Sequence, residues 1–210
     1  FFEFKRWQFY AKLIVGVLPA LLLGYLFADK IDEMLEKPMV VAISLLAGGI
    51  VLLFIDKAFK NPVVESEDQI SFTKSFMIGC WQVISMIPGV SRSAATIIGG
   101  MQQKLTRNMA AEFSFFLAVP TMFAATAHSL VLKKWTLGGV TRKGYEIILE
   151  SKENTTAFII GNVVAFIVAL LAIRFFINYL KVYGFKVFGI YRIFAGIILI
   201  LLILAGLIDG

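Results

Sequence analysis

Charged residues are scarce in this sequence. Of its 210 residues only 16% are Asp, Glu, Lys or Arg, whereas 59% are hydrophobic, and the mean hydropathy is +0.85. A water-soluble domain of this length needs many more polar side chains to cover its surface. The composition therefore excludes a soluble globular protein and predicts one that is embedded in a membrane.

Cysteine and histidine are almost absent as well. The one cysteine, Cys80, can form no internal disulfide and matches no metal-ligand spacing, so we expect a buried, inert thiol. The one histidine, His128, stands near the end of a hydrophobic block, where we expect an interfacial or packed residue rather than a ligand.

The hydrophobic residues occur in long blocks. A helix needs about 20 such residues to cross the hydrocarbon core, and flanking residues extend the shorter blocks. The sequence therefore predicts an all-α, polytopic membrane protein that forms one integral membrane domain over residues 1–210, with about five transmembrane helices. The blocks are Leu13–Ala28, Met39–Ile55, Met109–Leu132, Thr155–Ile173 and Ile193–Leu207.

The net charge of +6 is not a sign of nucleic-acid binding, because the basic residues fall in short loops between the predicted spans. In a membrane protein, such residues indicate topology, and the richer side faces the cytoplasm. Twelve Lys and Arg residues, Arg192 among them, fall on one side and seven on the other, with Arg92 left out. We therefore predict that the loop Lys57–Lys74 is cytoplasmic and that Lys133–Asn154 lies outside.

Residues 70–103 do not have the pattern of a simple span. The pattern indicates a helix to about Ile87, a break at Pro88-Gly89, and a second helical run from Ser91. Each arm is too short or too polar to cross alone. We expect a re-entrant helical hairpin whose tip is buried in protein or lines a cavity.

The tip of this hairpin has the features of an anion site. Ser91 stands where an N-cap belongs, so the following backbone N–H groups are unsatisfied, and a helix N-terminus of this kind attracts phosphate. Arg92 adds a permanent charge matched to phosphate oxygens, and Thr96, Gly99 and Gly100 continue the same helical face. The alternative is that Arg92 extends to the interface and the serines only cap a helix. An arginine at membrane depth favours the functional interpretation.

The segment Pro88–Thr96 closely resembles the second signature of undecaprenyl-diphosphate phosphatases of the bacitracin-resistance type. Ser75–Gln82 and Ala111–Phe115 match the same family in order and spacing, and the likeness covers essentially the whole chain. In that family Ser91, Arg92 and Thr96 fall on positions that bind the substrate diphosphate. The candidate substrate-binding residues are Gly89, Ser91, Arg92, Ser93 and Thr96, and the candidates for a catalytic contribution are Ser91, Arg92 and Thr96.

The resemblance implies an enzyme of the bacterial cytoplasmic membrane. It implies hydrolysis of the C55 isoprenyl diphosphate to the monophosphate, which recycles the lipid carrier for cell-wall synthesis and underlies bacitracin resistance. It also implies two inverted repeats, with residues 70–208 forming one repeat and residues 1–56 the remainder of the other. The expected partners are the isoprenyl diphosphate and membrane lipids, and the sequence leaves a homodimer open.

The chain departs from the family in lacking its first signature, a glutamate-rich stretch followed by Pro-Val-Ser-Ser and a histidine. We expect that signature before Phe1. In the family it supplies the nucleophile, the acid/base group and the carboxylates that hold a divalent metal, Mg²⁺ or Ca²⁺. We therefore expect these 210 residues alone to lack catalysis.

Two further residues are candidates with open alternatives. Gln82, in the first arm of the hairpin, contributes a hydrogen bond near the tip or only packs. Glu112 lies near the start of a span and contributes to the site if it faces Arg92. The alternatives are that it forms a structural ion pair with Arg107 or that its carboxylate lies at the membrane interface.

Two rival functions are a membrane transporter or channel built on the re-entrant hairpin, and a type-2 phosphatidic-acid phosphatase. A cation pathway would prefer carboxylates to Arg92. The phosphatase class needs a histidine after five further residues, where this chain has Ile98.

Overall fold

The computed structural model describes residues 7–59, 61–137 and 139–208, apart from the side chains of Leu137 and Lys181. Lys5, Arg6 and Lys60, which the charge comparison included, lie outside the described residues. The helices and strands are α1 (Trp7–Leu26), α2 (Ala28–Leu35), α3 (Pro38–Ala58), α4 (Phe72–Ile84), α5 (Arg92–Gln102), α6 (Arg107–Ala127), β1 (Lys134–Leu137), β2 (Val140–Lys143), α7 (Gly144–Leu149), α8 (Lys152–Tyr183) and α9 (Lys186–Leu204).

Within the described ranges, five helices are long and apolar enough to cross a membrane, which confirms the predicted spans. They are α1, α3, α6 together with the π-helix His128–Leu132, α8 and α9. Three of them begin at least three residues earlier than predicted: α1 at Trp7 rather than Leu13, α8 at Lys152 rather than Thr155, and α9 at Lys186 rather than Ile193. Basic residues continue the helix here, because long cationic side chains can reach water while their stems stay on the apolar surface.

The predicted re-entrant hairpin is formed by α4 and α5. At 13 and 11 residues the arms are about 20 Å and about 16 Å long, shorter than the roughly 30 Å hydrocarbon core. Its two ends lie on one side, because the Lys104 carbonyl accepts hydrogen bonds from Val63 N (2.9 Å) and Val64 N (3.0 Å), and Thr106 N donates to the Val64 carbonyl (2.9 Å). The hairpin therefore returns to the side that it enters from.

The first arm ends at Ile84, three residues earlier than predicted. The N–H groups of Ser85, Met86 and Ile87 bond three residues back rather than four, so the chain tightens into turns before Pro88. These turns lengthen the irregular tip between the two arms to residues 85–91.

Close helix crossings at glycines hold the bundle together. Between α1 and α4, a Cβ on Gly79 would collide with the carbonyl oxygen of Gly16. Between α3 and α9, a Cβ on Gly49 would lie 2.8 Å from the Gly189 carbonyl oxygen, and one on Gly189 would lie 2.9 Å from that of Gly49. Small residues allow such approaches, and close packing drives helix association where lipid supplies no hydrophobic force.

An ion pair joins three parts of the bundle near the ends of α3 and α8. Arg107 Nη2 lies 2.7 Å from Asp56 Oδ1, and the other carboxylate oxygen accepts a 2.9 Å hydrogen bond from Phe185 N. Arg107 Nη1 also donates to the Leu180 carbonyl at 3.4 Å. These contacts connect α3, α6 and the α8–α9 turn, and that turn forms one wall of the site described below.

On the opposite side, the two segments that connect predicted spans are structured. Residues 29–35 belong to α2, and the loop Lys133–Asn154 contains α7 and an antiparallel β1–β2 hairpin, which is a small exception to the all-α prediction. Gly139, with φ +81°, lies in the hairpin turn. Lys133 Nζ lies 2.9 Å from Asp32 Oδ2, so the two segments are tied together. The division into repeats at 1–56 and 70–208 stays a prediction.

Candidate anion-binding site at the re-entrant hairpin

The tip of the hairpin is packed against α3 through Gly89. This glycine has φ +88°, a conformation that L side chains rarely adopt, and a Cβ would lie 2.6 Å from the carbonyl oxygen of Val41. The local sequence explains the arrangement, because Pro88 cannot continue the first arm and glycine permits the reversal. Only glycine fits Gly89's position without displacing the tip.

Ser91 caps the second arm, as the sequence predicted. Its Oγ accepts a hydrogen bond from Ala94 N at 3.3 Å and lies 3.2 Å from Ser93 Oγ. The first N–H groups of α5 have no partner within the helix, and the positive end of the helix dipole is here. The two hydroxyls and these amides form a donor set suited to an anion.

Arg192 is the site residue that the sequence analysis placed wrongly. It was counted with the cytoplasmic loop cations, but it lies inside α9, and its Nη2 donates to the Gly89 carbonyl at 2.5 Å and to the Ser44 carbonyl at 3.5 Å. A Cβ on Gly48 would lie 2.8 Å from this nitrogen, so glycine makes room for the guanidinium. The sequence feature that could have identified Arg192 as a site residue is a cation inside an apolar helical stretch. Without Arg192 the charge comparison is eleven against seven, so its direction is unchanged.

A cavity of about 180 Å³ opens between α3, α5, the end of α8 and α9. Its polar lining is Ser91, Ser93, Tyr191 and Arg192, and its apolar lining is Leu52, Ala94, Phe176, Phe185 and Phe188. The Nε–H of Arg192 is buried and has no hydrogen-bond partner among the described residues. The cavity is thus lined by a cation and two hydroxyls beside the open end of α5, and its lining carries no carboxylate or imidazole in the part of the chain described.

Arg92 points toward α6 in this structure. Its Nη1 donates to the Ser114 carbonyl at 3.4 Å, and the side chain is half-buried. A 3.4 Å separation is long for a hydrogen bond, so this contact holds the guanidinium weakly. A phosphate, which forms charge-assisted and bidentate bonds with arginine, would compete well with it. The predicted role of Arg92 in binding diphosphate stays a prediction.

Thr96 is fully buried, and its hydroxyl is engaged within the protein. Thr96 Oγ1 donates to carbonyls of the preceding turn, with Arg92 O at 2.9 Å and Ser93 O at 3.2 Å, and lies 2.5 Å from Ser114 Oγ. This network fastens α5 to α6 directly behind Arg92. The geometry favours a role in orienting Arg92 and Ser93, and direct contact between Thr96 and a substrate stays a prediction.

The two further candidates lie elsewhere. Gln82 is 2% exposed, and its Nε2 donates to Thr121 Oγ1 at 3.2 Å, which joins α4 to α6. Glu112 accepts a 3.0 Å hydrogen bond from Asn108 Nδ2 one turn earlier. Arg107 pairs with Asp56, so the expected alternative of a Glu112–Arg107 pair is wrong.

The described residues do not form a divalent-metal site. Groups of three or more His, Cys, Asp or Glu side chains able to hold an ion are absent from the described ranges. The side chains nearest the open end of α5 are hydroxyls and a guanidinium, and a guanidinium repels a cation. These residues therefore do not fit the metal that the resemblance implies, and we derive no step through it.

Comparison with known proteins identifies the family. Residues 2–198 match the family model described as "Bacitracin resistance protein BacA". A protein named undecaprenyl-diphosphatase from Flavobacterium johnsoniae is 52% identical over 95% of this chain and 72% of its own length. Proteins of the same name from Porphyromonas gingivalis and Bdellovibrio bacteriovorus are 49% and 41% identical over 96% of this chain, covering 68% and 72% of their own lengths. The chain belongs to the bacitracin resistance protein BacA family.

Proposed function

We propose that this multi-pass membrane protein is an undecaprenyl-diphosphatase. In this reaction water attacks the terminal phosphorus, the bridging P–O bond breaks, and inorganic phosphate and undecaprenyl monophosphate are released. Family membership and the name shared by its relatives support the reaction. The product is the lipid carrier that cell-wall synthesis reuses in the bacterial cytoplasmic membrane, and its regeneration accounts for a role in bacitracin resistance.

One structural observation carries the proposal. The cavity at the N-terminus of α5 is lined by Ser91, Ser93 and Arg192, and it lies along a hairpin that enters the hydrocarbon core without crossing it. A lipid diphosphate has its charge at the membrane surface and its tail in the core. A donor-rich cavity at the end of a re-entrant helix can therefore take the head group while the tail stays in an apolar environment.

We assign charge stabilisation to the residues of the cavity. Arg192 and the hydroxyls of Ser91 and Ser93 line the space where the phosphate would lie, and the N-terminus of α5 adds its amides and the positive end of its dipole. Arg92 would join them by exchanging its weak bond to Ser114 for one to phosphate. Donors held in place before the reaction cost little reorganisation as charge develops on the oxygens.

A matched pair of serine substitutions tests this assignment. Ser91 and Ser151 both cap a helix through a backbone N–H, at 3.3 Å and 3.1 Å, but only Ser91 lines the cavity. Replacing either serine with alanine should cost a similar roughly 1 kcal/mol of cap stability. In the protein as its gene encodes it, we expect Ser91→Ala to lower the rate of phosphate release from undecaprenyl diphosphate at least about tenfold. Ser151→Ala should retain wild-type turnover.

Equal turnover in the two variants would contradict the role of Ser91. Phosphate crossing a proteoliposome membrane without any hydrolysis would contradict the enzyme itself and favour the transporter or channel alternative. We also propose that hydrolysis depends on Mg²⁺ or Ca²⁺ bound by groups other than the described residues, which do not fit a metal. Chelation with EDTA followed by metal return tests this.

A further inference from the structure

Part of the cavity lining is aromatic, and the anion site makes no use of these side chains. Phe176, near the end of α8, and Phe188, on α9, have ring centroids 5.1 Å apart and are both partly exposed toward the cavity. Phe185 also lines the cavity and is 2% exposed. Phe176 is held in turn by Phe115 of α6, at 5.7 Å between centroids. We call Phe176, Phe185 and Phe188 the aromatic wall.

We propose that the aromatic wall binds the first isoprene units of the diphosphate lipid, with Phe176 and Phe188 in direct contact with them. The inference rests on the proposed function, because it places the tail of that substrate relative to its head group. The polar and apolar groups line one continuous space of about 180 Å³, and an amphiphile is the ligand whose two ends match it. The aromatic wall distinguishes a lipid diphosphate from a free one.

The aromatic wall should act through orientation more than through affinity for a long tail. An undecaprenyl chain that enters the cavity leaves lipid, which is as apolar as the cavity, so it gains little hydrophobic free energy. The rings of Phe176 and Phe188 instead hold the isoprene units next to the phosphate in one orientation. A short isoprenyl diphosphate comes from water, and the same contact then appears in full as binding affinity.

The test compares two ligands that differ by one isoprene ester group. The ester also removes one ionisable oxygen, and this loss of charge works against the expected preference. Methylenediphosphonate and its dimethylallyl monoester carry carbon in place of the bridging oxygen, so neither can be hydrolysed at that bond. Their binding to the detergent-purified chain is measured by calorimetry. We expect the monoester to bind at least about tenfold more tightly, which corresponds to about 1.4 kcal/mol. One isoprene unit that leaves water can supply more than this.

The preference for the monoester should depend on the aromatic wall. We expect Phe176→Ala or Phe188→Ala to remove most of it and to leave methylenediphosphonate affinity unchanged. Phe175→Ala and Phe194→Ala are the matched controls, because these rings are 71% and 64% exposed and do not line the cavity. If an alanine variant does not fold, Phe188→Leu keeps the apolar volume without the ring. It should still lower the preference by about threefold.

The outcomes separate the two proposals. Equal affinity of the wild-type chain for both ligands, or an equal loss of preference in Phe175→Ala and Phe176→Ala, would leave the diphosphate site standing and overturn the aromatic wall. An unchanged preference in Phe188→Leu would also overturn it. Binding of neither ligand to the wild-type chain would contradict the anion site and, with it, this inference.

Discussion

Replacing Arg192 with methionine tests how the hairpin tip is held. Methionine replaces the aliphatic stem of arginine and fits an apolar helix, but it removes the charge and the donor that bonds the Gly89 carbonyl at 2.5 Å. The contact to the Ser44 carbonyl, at 3.5 Å, is at the limit of a hydrogen bond and adds little. The substitution therefore isolates one charged hydrogen bond between α9 and the tip.

The size of the effect follows from that one bond. A hydrogen bond that involves a charged group contributes about 1.5–3 kcal/mol, and the loss leaves the Gly89 carbonyl without this donor at the tip. At 1.4 kcal/mol for each factor of ten, the docked tip should be disfavoured by about 10-fold to 150-fold relative to an undocked one. The helices on either side keep their own hydrogen bonds, so the change should be local.

Hydrogen exchange of the Val90 amide measures this equilibrium. That amide donates to the Ile87 carbonyl at 3.0 Å only while the tip keeps its turn, so its exchange should accelerate by the same factor. Arg174→Met is the control, because Arg174 is an exposed cation on α8 and its loss changes the net charge equally. Equal exchange of Val90 in both variants would refute the anchoring role of Arg192. Faster exchange throughout α4 and α6 would show general unfolding instead.

Three other predictions concern the same hairpin and its orientation. Gly89→Ala should cost at least about 1–2 kcal/mol of tip docking, because of its positive φ and the Cβ collision with α3, and the Val90 exchange assay measures it. Arg92→Lys keeps the charge but loses the planar fork, so phosphate release by the natively encoded enzyme should fall on the order of 10²–10³-fold with an unchanged circular dichroism spectrum. In intact cells, an impermeant thiol reagent should label a cysteine at Lys143 but not one at Glu67, and the reverse would overturn the topology.

The spans and the break at the hairpin tip could be predicted because they depend on local sequence. A helix in lipid must satisfy its own backbone, so the length of an apolar block is enough to indicate a span. The reversal at Pro88-Gly89 follows in the same way from a missing N–H and a permitted positive φ. The Ser91 cap is equally local, since its partner is the amide three residues on. None of these features depends on a distant residue.

The sequence by itself therefore determined a polytopic helical membrane protein with a re-entrant hairpin and an open helix N-terminus at its tip. Only the tertiary structure decided which groups surround that terminus. Arg192 is about 100 residues from the tip in sequence and reaches it because α9 packs on α3 at Gly49 and Gly189. The close approach of two backbones sets that contact, and local hydropathy carries no information about it. The same packing brings the aromatic wall into the lining of the cavity beside the tip and turns Thr96 away into the core.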